Sequence, residues 1–170
     1  PETPALSVGA ITFTQEDVSV RRRVIEIKHG ADAEASLGAV AQLVQGALND
    51  VKKSVNGAKV LVLGVAYKRD VSDVRESPAL DVIKLLKEKG ADVSYNDPFI
   101  PDLKHEGLPM KSVDIAGSKL GNYDCVVVTT DHTRYDAEAV VAGSRLVVDT
   151  RNFTGKLNLK GAAAAKVLKL

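Results

Sequence analysis

Three short apolar runs, Lys59–Val65, Cys125–Thr130 and Arg145–Asp149, constrain this chain more than any other feature. Each is rich in Val or Leu and lacks the polar alternation of a half-exposed strand, so each predicts a strand covered on both faces. Between the first two, Ser77-Pro78 predicts a helix start: Ser caps, and Pro takes the first helical position, where its missing N–H costs nothing. Ala79, Val82, Ile83 and Leu86 form the buried stripe of that helix, and Gly90 ends it. Asp92–Tyr95 reads as a further strand, stopped by Asn96-Asp97-Pro98, and Asp136–Val141 as a short helix. Strands alternating with helices predict an α/β fold: a doubly wound, Rossmann-like, mostly parallel sheet with helices on both faces.

The flanks are less regular. Leu37, Val40, Ala41, Val44 and Leu48 line one face of a helix over 37–50, with Ser36 as the expected N-cap and Asn49-Asp50 as the stop. A polar connector follows, with a turn at Asn56-Gly57. Residues 99–120 predict short helical pieces and a strand near Lys111–Ile115. At the start, Ile11–Thr14 and Val18–Ile27 read as short strands, and Arg21-Arg22-Arg23 as a solvated face in preference to a phosphate site. The expected organisation is an unassigned segment over 1–36, a connecting helix and linker over 37–57, a ligand-binding domain over 58–156 and a tail over 157–170.

Charge and composition narrow the function classes. The 170 residues carry 23 basic against 22 acidic side chains, a net charge of +1, which gives no basis for a nucleic-acid or anionic-membrane partner. Aromatics are only 4% and Trp is absent, so a base-stacking surface is not expected either. No apolar run approaches the roughly 18 residues of a membrane span, and Pro1–Ala10 lacks a secretory pattern. With one cysteine, Cys125, no disulfide framework can form, and a cytoplasmic location is expected. Cys125 opens a buried strand beside Asp124, with no cation nearby in sequence to lower its pKa, so it reads as structural. His29, His105 and His132 show no metal-ligand spacing; His132 follows the C-terminal end of a strand, where a site residue could stand, and reads as a plain loop histidine in preference to one.

In open α/β sheets ligands bind beyond the carboxyl ends of the strands. The strands here exit into Tyr67-Lys68-Arg69-Asp70, Asp131-His132-Thr133-Arg134 and Thr150-Arg151-Asn152. Such a rim carries Lys68 and Arg151, with Arg75 near the start of the capped helix, and suits an anionic ligand, phosphate above all. Neither a G-x-G-x-x-G nor a G-x-x-x-x-G-K-[ST] follows a strand; Gly64 stands alone. Without those glycines Asp97 reads as turn chemistry, not as a ribose ligand.

Leu61-Val62-Leu63-Gly64-Val65-Ala66-Tyr67-Lys68, followed by Asp73-Val74-Arg75-Glu76-Ser77-Pro78, resembles the opening of the C-terminal domain of the UDP-glucose/GDP-mannose dehydrogenase family. Asn96-Asp97-Pro98, the strand exit Val126-Val127-Val128-Thr129-Thr130-Asp131-His132 and Val148-Asp149-Thr150-Arg151-Asn152 follow in the same order and spacing. The Thr-Asp-His and Asp-Thr-Arg-Asn versions look most similar to bacterial enzymes acting on UDP-N-acetylhexosamines such as UDP-N-acetylglucosamine.

The resemblance implies an oxidoreductase that oxidises a sugar C6 alcohol to a carboxylate in two hydride transfers to NAD, through a cysteine-bound intermediate. It implies that Tyr67, Lys68 and Arg151 contact the UDP-sugar and that Arg75 reaches NAD held by a separate N-terminal domain. A homo-oligomer is implied as well. The glycine fingerprint and nucleophilic cysteine motif of that family do not occur in this sequence, so the chain reads as a domain fragment, inactive alone. The other reading kept open is a non-catalytic, doubly wound regulatory or interaction domain; its receiver version fits poorly, because Tyr67-Lys68 stands where a receiver needs acidic residues.

Overall fold

The computed structural model describes residues 33–105 and 107–170. The expectations for Ile11–Thr14, Val18–Ile27 and Arg21–Arg23 lie outside them. In chain order the elements are α1 (Ala33–Asp50), β1 (Lys59–Leu63), α2 (Pro78–Glu88), β2 (Asp92–Asn96), β3 (Asp102–His105) and β4 (Leu108–Lys111). A 3-10 turn over Gly117–Asn122 leads to β5 (Cys125–Val128), α3 (Ala137–Gly143), β6 (Val147–Asp149), α4 (Gly161–Ala165) and β7 (Val167–Lys169).

Five strands form one sheet in the order β2-β1-β5-β6-β7, every neighbouring pair parallel. The absence of polar alternation now has its cause. Val60, Val62, Val127 and Val148 point to the face covered by α1 and α2. Leu61, Leu63, Val126, Val128 and Val147 point to the other, where Leu120, Val140 and Val141 pack on them. Both faces are dry, as the doubly wound expectation requires.

Local chemistry sets the helix ends. Ser77 Oγ accepts the Ala79 N–H at 3.4 Å, with Pro78 at the first helical position. Asp136 Oδ1 accepts the Ala139 N–H at 3.1 Å and starts α3. At the amino-terminal edge of the sheet Asp124 accepts the Lys59 N–H at 2.8 Å and pairs with Lys53 at 2.9 Å and Arg145 at 3.6 Å. Burial alone would raise that carboxyl's pKa, but these donors together outweigh it and hold it below the ordinary range.

Three expectations are corrected. The helix expected over 37–50 extends back to Ala33, so Ser36 lies inside α1 and does not cap it. Its residues Val40, Val44, Ala47 and Leu48 are buried in the domain core, so α1 leaves no apolar stripe bare along that stretch. The strand expected near Lys111–Ile115 lies earlier, as β4, paired antiparallel with β3. Leu103 and Leu108 anchor this hairpin in the core, and past β4 the expected segment reaches β2 through the Ser112 bridge to Tyr95 and the Val113 N–H, which bonds the Tyr95 carbonyl at 2.8 Å. Finally, the stretch expected as a tail supplies α4 and β7, and Val167 and Leu168 are buried. A three-residue strand after an alanine-rich turn is too short for its periodicity to show in sequence.

Because β7 completes the sheet, Leu168→Ala is expected to lower the unfolding free energy by about 2–5 kcal/mol in urea titration, as at other buried leucines. A loss below about 0.5 kcal/mol, the range of a surface substitution, would show that β7 is not part of the folded core.

Candidate functional site at the strand exits

The chain reverses direction across the sheet between β1 and β5: α2 leads from β1 to one edge, and α3 from β5 toward the other. The crevice at such a switch point is where open α/β sheets hold ligands. Its two walls here are Gly64–Asp70 and Thr129–Tyr135.

The walls meet at Gly64, whose φ is +80° and where a Cβ would fall 2.3 Å from the Thr130 carbonyl oxygen. Only glycine allows both the left-handed backbone and this approach. Thr129 Oγ1 donates to the Gly64 carbonyl, and Thr130 Oγ1 to the Ala66 carbonyl at 2.7 Å. Gly64 is therefore packed against protein, not opened as a phosphate cradle.

Behind the walls lies Asp97, at the end of β2. Its Oδ2 accepts the Val65 N–H at 2.8 Å, the Ala66 N–H at 2.9 Å and the His132 imidazole Nε2 at 2.9 Å. Its Oδ1 accepts the Phe99 N–H at 2.8 Å, the local turn bond that its sequence context predicts. All four donors belong to the protein, so this carboxylate is committed to bracing the β1 exit and has no edge turned toward a ribose.

His132 corrects the reading of a plain loop histidine. Its side chain is fully buried, with ring centroids 5.0 Å from Phe99 and 5.6 Å from Tyr135. Nδ1 accepts the Asp70 N–H at 2.9 Å, which leaves the proton on Nε2, where it is donated to Asp97. Asp70 closes the ring of contacts, accepting the Thr133 N–H and hydroxyl, each at 2.9 Å. Those bonds, the backbone one foremost, hold the Asp70 carboxyl below its usual range. Tyr135 donates its hydroxyl to the Asn96 carbonyl at 2.8 Å, and burial pushes its pKa up.

The exposed face of this scaffold carries the cations. Tyr67 is half exposed, and the Lys68 ammonium stands 5.3 Å from its ring centroid, within cation–π range. Asp131, nearly buried, pairs with Arg69 and lies 3.7 Å from Arg151 Nε. One carboxylate thus joins a guanidinium from the β1 exit to one from the β6 exit. Asp149 fixes the Arg151 loop from below, accepting the Arg151, Phe153 and Thr154 N–H groups at 3.0, 2.9 and 2.8 Å.

Of the residues singled out in sequence, Tyr67 and Lys68 stand on the β1 exit and Arg151 on the β6 exit, either side of β5, linked through Arg69 and Asp131. Arg75 lies farther along the β1–α2 connection, where Asp73 grips its guanidinium at 2.7 to 3.2 Å. That pairing holds the Asp73 carboxyl down to about 2 and raises Arg75 further. Sequence reasoning missed Arg69 and Asp131. Both were visible as polar exit residues, but no spacing rule pairs positions 62 residues apart.

Cys125 sits at the opposite end of the sheet, fully buried, its thiol pushed up to about 12 by burial and by the Asp124 charge. A shallow groove lined by Glu138, Val141, Leu157, Leu159, Ala163 and Lys166 also lies away from the rim. Among the described residues no His, Cys, Asp and Glu cluster suits a metal ion, and no helix is long and apolar enough to cross a membrane.

Residues 61–156 match the family described as the UDP-glucose/GDP-mannose dehydrogenase family, UDP binding domain. The UDP-N-acetyl-D-mannosamine dehydrogenase of Methanococcus maripaludis is 34% identical over 123 residues, which cover 66% of this chain and 27% of that protein. The UDP-glucose 6-dehydrogenase of Haloferax volcanii is 35% identical over 101 residues, 57% of this chain and 24% of that protein. The solved UDP-glucose dehydrogenase of Pyrobaculum islandicum superposes with a TM-score of 0.59 at 28% identity, over 81% of this chain and 29% of that one. The chain therefore spans about a quarter of the length of these relatives. The chain thus belongs to the UDP-glucose/GDP-mannose dehydrogenase family, and carries its UDP-binding domain.

Proposed function

We propose that this chain is the nucleotide-sugar-binding part of an NAD-dependent UDP-sugar 6-dehydrogenase, with residues 58–156 as its binding unit and 37–57 leading to the rest of the enzyme. Tyr67, Lys68 and Arg151 contact the UDP-sugar, and Arg75 reaches NAD held by an N-terminal domain. The observation that carries this reading is the joining of the Lys68 loop to Arg151 at the topological switch point, through Arg69 and Asp131.

The electrostatics support it. A nucleoside diphosphate brings two charged phosphates, and planar guanidiniums bind such oxygens in pairs. Asp131 orients Arg69 and Arg151 without neutralising both, and Lys68 adds a mobile point charge beside the half-exposed Tyr67 face. That Arg75 is held by Asp73 in an open loop fits a residue offered to a partner surface instead of to the crevice. Nothing in the geometry favours the regulatory-domain reading over this one. A UDP-N-acetylhexosamine or UDP-glucose is the substrate class, the enzyme works in the cytoplasm, and it assembles as a homo-oligomer.

The dehydrogenase chemistry converts a C6 alcohol to a carboxylate while two hydrides pass to NAD. The thiol that this requires is not Cys125, which is buried at the end of the sheet remote from the strand exits. What these residues contribute is binding and orientation.

Two measurements test this reading. Calorimetry is expected to show UDP binding by the chain, with Lys68→Ala weakening it about tenfold or more, in line with about 1.5–3 kcal/mol for a charge-assisted hydrogen bond; no binding at millimolar UDP would contradict it. Cys125 is expected to resist a disulfide-exchange reagent at pH 8 until the chain is unfolded. Rapid labelling of the native protein, or NAD reduction by the chain with any UDP-sugar, would overturn the assignment of the chemistry to residues elsewhere.

A further inference from the structure

The loop that carries Tyr67 and Lys68 has no regular secondary structure of its own, yet it is tied at both ends to a buried pair of side chains that bond each other, Asp97 and His132. At the near end the Val65 and Ala66 N–H groups bond Asp97 Oδ2, the same oxygen that accepts from His132 Nε2. At the far end the Asp70 N–H bonds His132 Nδ1. The distances are 2.8, 2.9, 2.9 and 2.9 Å, and the His132 and Asp97 side chains are fully buried. The hydrogen-bonded Asp97–His132 pair therefore spans the loop, with only Tyr67, Lys68 and Arg69 between its two anchorages. Asp70, whose φ is +59°, holds a left-handed turn there, and its carboxylate bonds Thr133, the residue after His132.

We propose that His132, acting through Asp97 and the Asp70 amide, is a positioning residue that holds the 65–70 loop in the shape that presents Tyr67 and Lys68 to the nucleotide sugar. The ligand part of this rests on the function proposed above; the loop clamp does not. Three features favour this over packing alone. Both imidazole nitrogens are used, in one tautomer: Nδ1 takes the amide at the far end of the loop, and Nε2 bonds the Asp97 oxygen that holds the near end. The ring's aromatic neighbours, Phe99 and Tyr135, fix its plane, so the two bonds cannot be traded for others by rotation. And the clamped residues, not the clamp, are the exposed ones. Preorganising a loop in its binding shape contributes affinity by lowering the ordering cost at the moment of binding.

Substitutions that mimic one nitrogen at a time separate the two bonds. His132→Asn keeps an acceptor near the Nδ1 position, whereas His132→Gln keeps a donor near Nε2; His132→Phe keeps the ring and neither. Amide hydrogen exchange on the ligand-free chain is the first readout. In His132→Phe the Asp70 amide is expected to exchange at least tenfold faster, while core amides such as Val62 and Val127 keep their protection. His132→Asn is expected to restore protection at Asp70 and His132→Gln not to. The second readout is UDP affinity, expected to fall about tenfold in His132→Phe and to recover in part in His132→Asn. Unchanged exchange at Asp70 in His132→Phe, or equal effects of Asn and Gln, would overturn the clamp. Faster exchange with unchanged UDP affinity would overturn its role in positioning the ligand loop. A parent chain that binds no UDP, with the exchange pattern as expected, would instead remove the ligand reading and leave the clamp.

Discussion

Parallel strands leave their last N–H groups and carbonyls without partners once the sheet stops, and a ligand site must be built from that unpaired backbone. In this chain the buried carboxylate of Asp97 answers the need. It stands at the end of the edge strand β2 and gathers donors from the β1 exit, from its own turn and, through His132, from the β5 exit. A carboxylate this deep is costly unless its lone pairs are met, and four donors meet them. The arrangement therefore enforces itself: the loops must adopt the shape that brings the donors in, or leave a charge buried without partners. The geometry of the exposed rim depends on that constraint.

The same division of labour recurs across the rim. Asp149, fully buried at the end of β6, collects three backbone N–H groups and sets the loop from which Arg151 projects. Asp131, less buried, reaches outward and joins Arg151 to Arg69. Buried acids shape backbone, and the exposed cations above them are left to meet an anion. A chain with a net charge of +1 thereby still gathers exposed cations along one rim of its sheet. The charge is sorted by depth, not by count.

How legible this was in sequence depended on the range of the interaction. The strands over 59–63, 92–96 and 125–128 and the capped start of α2 were readable because burial on both faces and a Ser-Pro cap leave local marks. The cations Lys68 and Arg151 were readable because they follow strand ends. The β3–β4 hairpin and β7 were not, since four- and three-residue strands carry too little periodicity to outweigh Pro109 or an alanine run. The roles of Asp97, His132 and Asp131 were also hidden, for a different reason. Each bonds residues 31 to 62 positions away, and only the completed sheet brings those partners within bonding distance. Asp97 looked like a turn residue because its nearest bond, to Phe99, is one.

On the function proposed above, the strand exits of this UDP-binding domain form one half of a nucleotide-sugar site, preassembled before ligand arrives. Its most direct test is a UDP titration of the isotopically labelled chain followed by backbone amide NMR. The account predicts saturable shifts concentrated at residues 65–70, 131–134 and 150–152, with the α3 and 157–166 groove and the amino-terminal edge around Asp124 unmoved. Shifts confined to that groove, or none at saturating UDP, would contradict it.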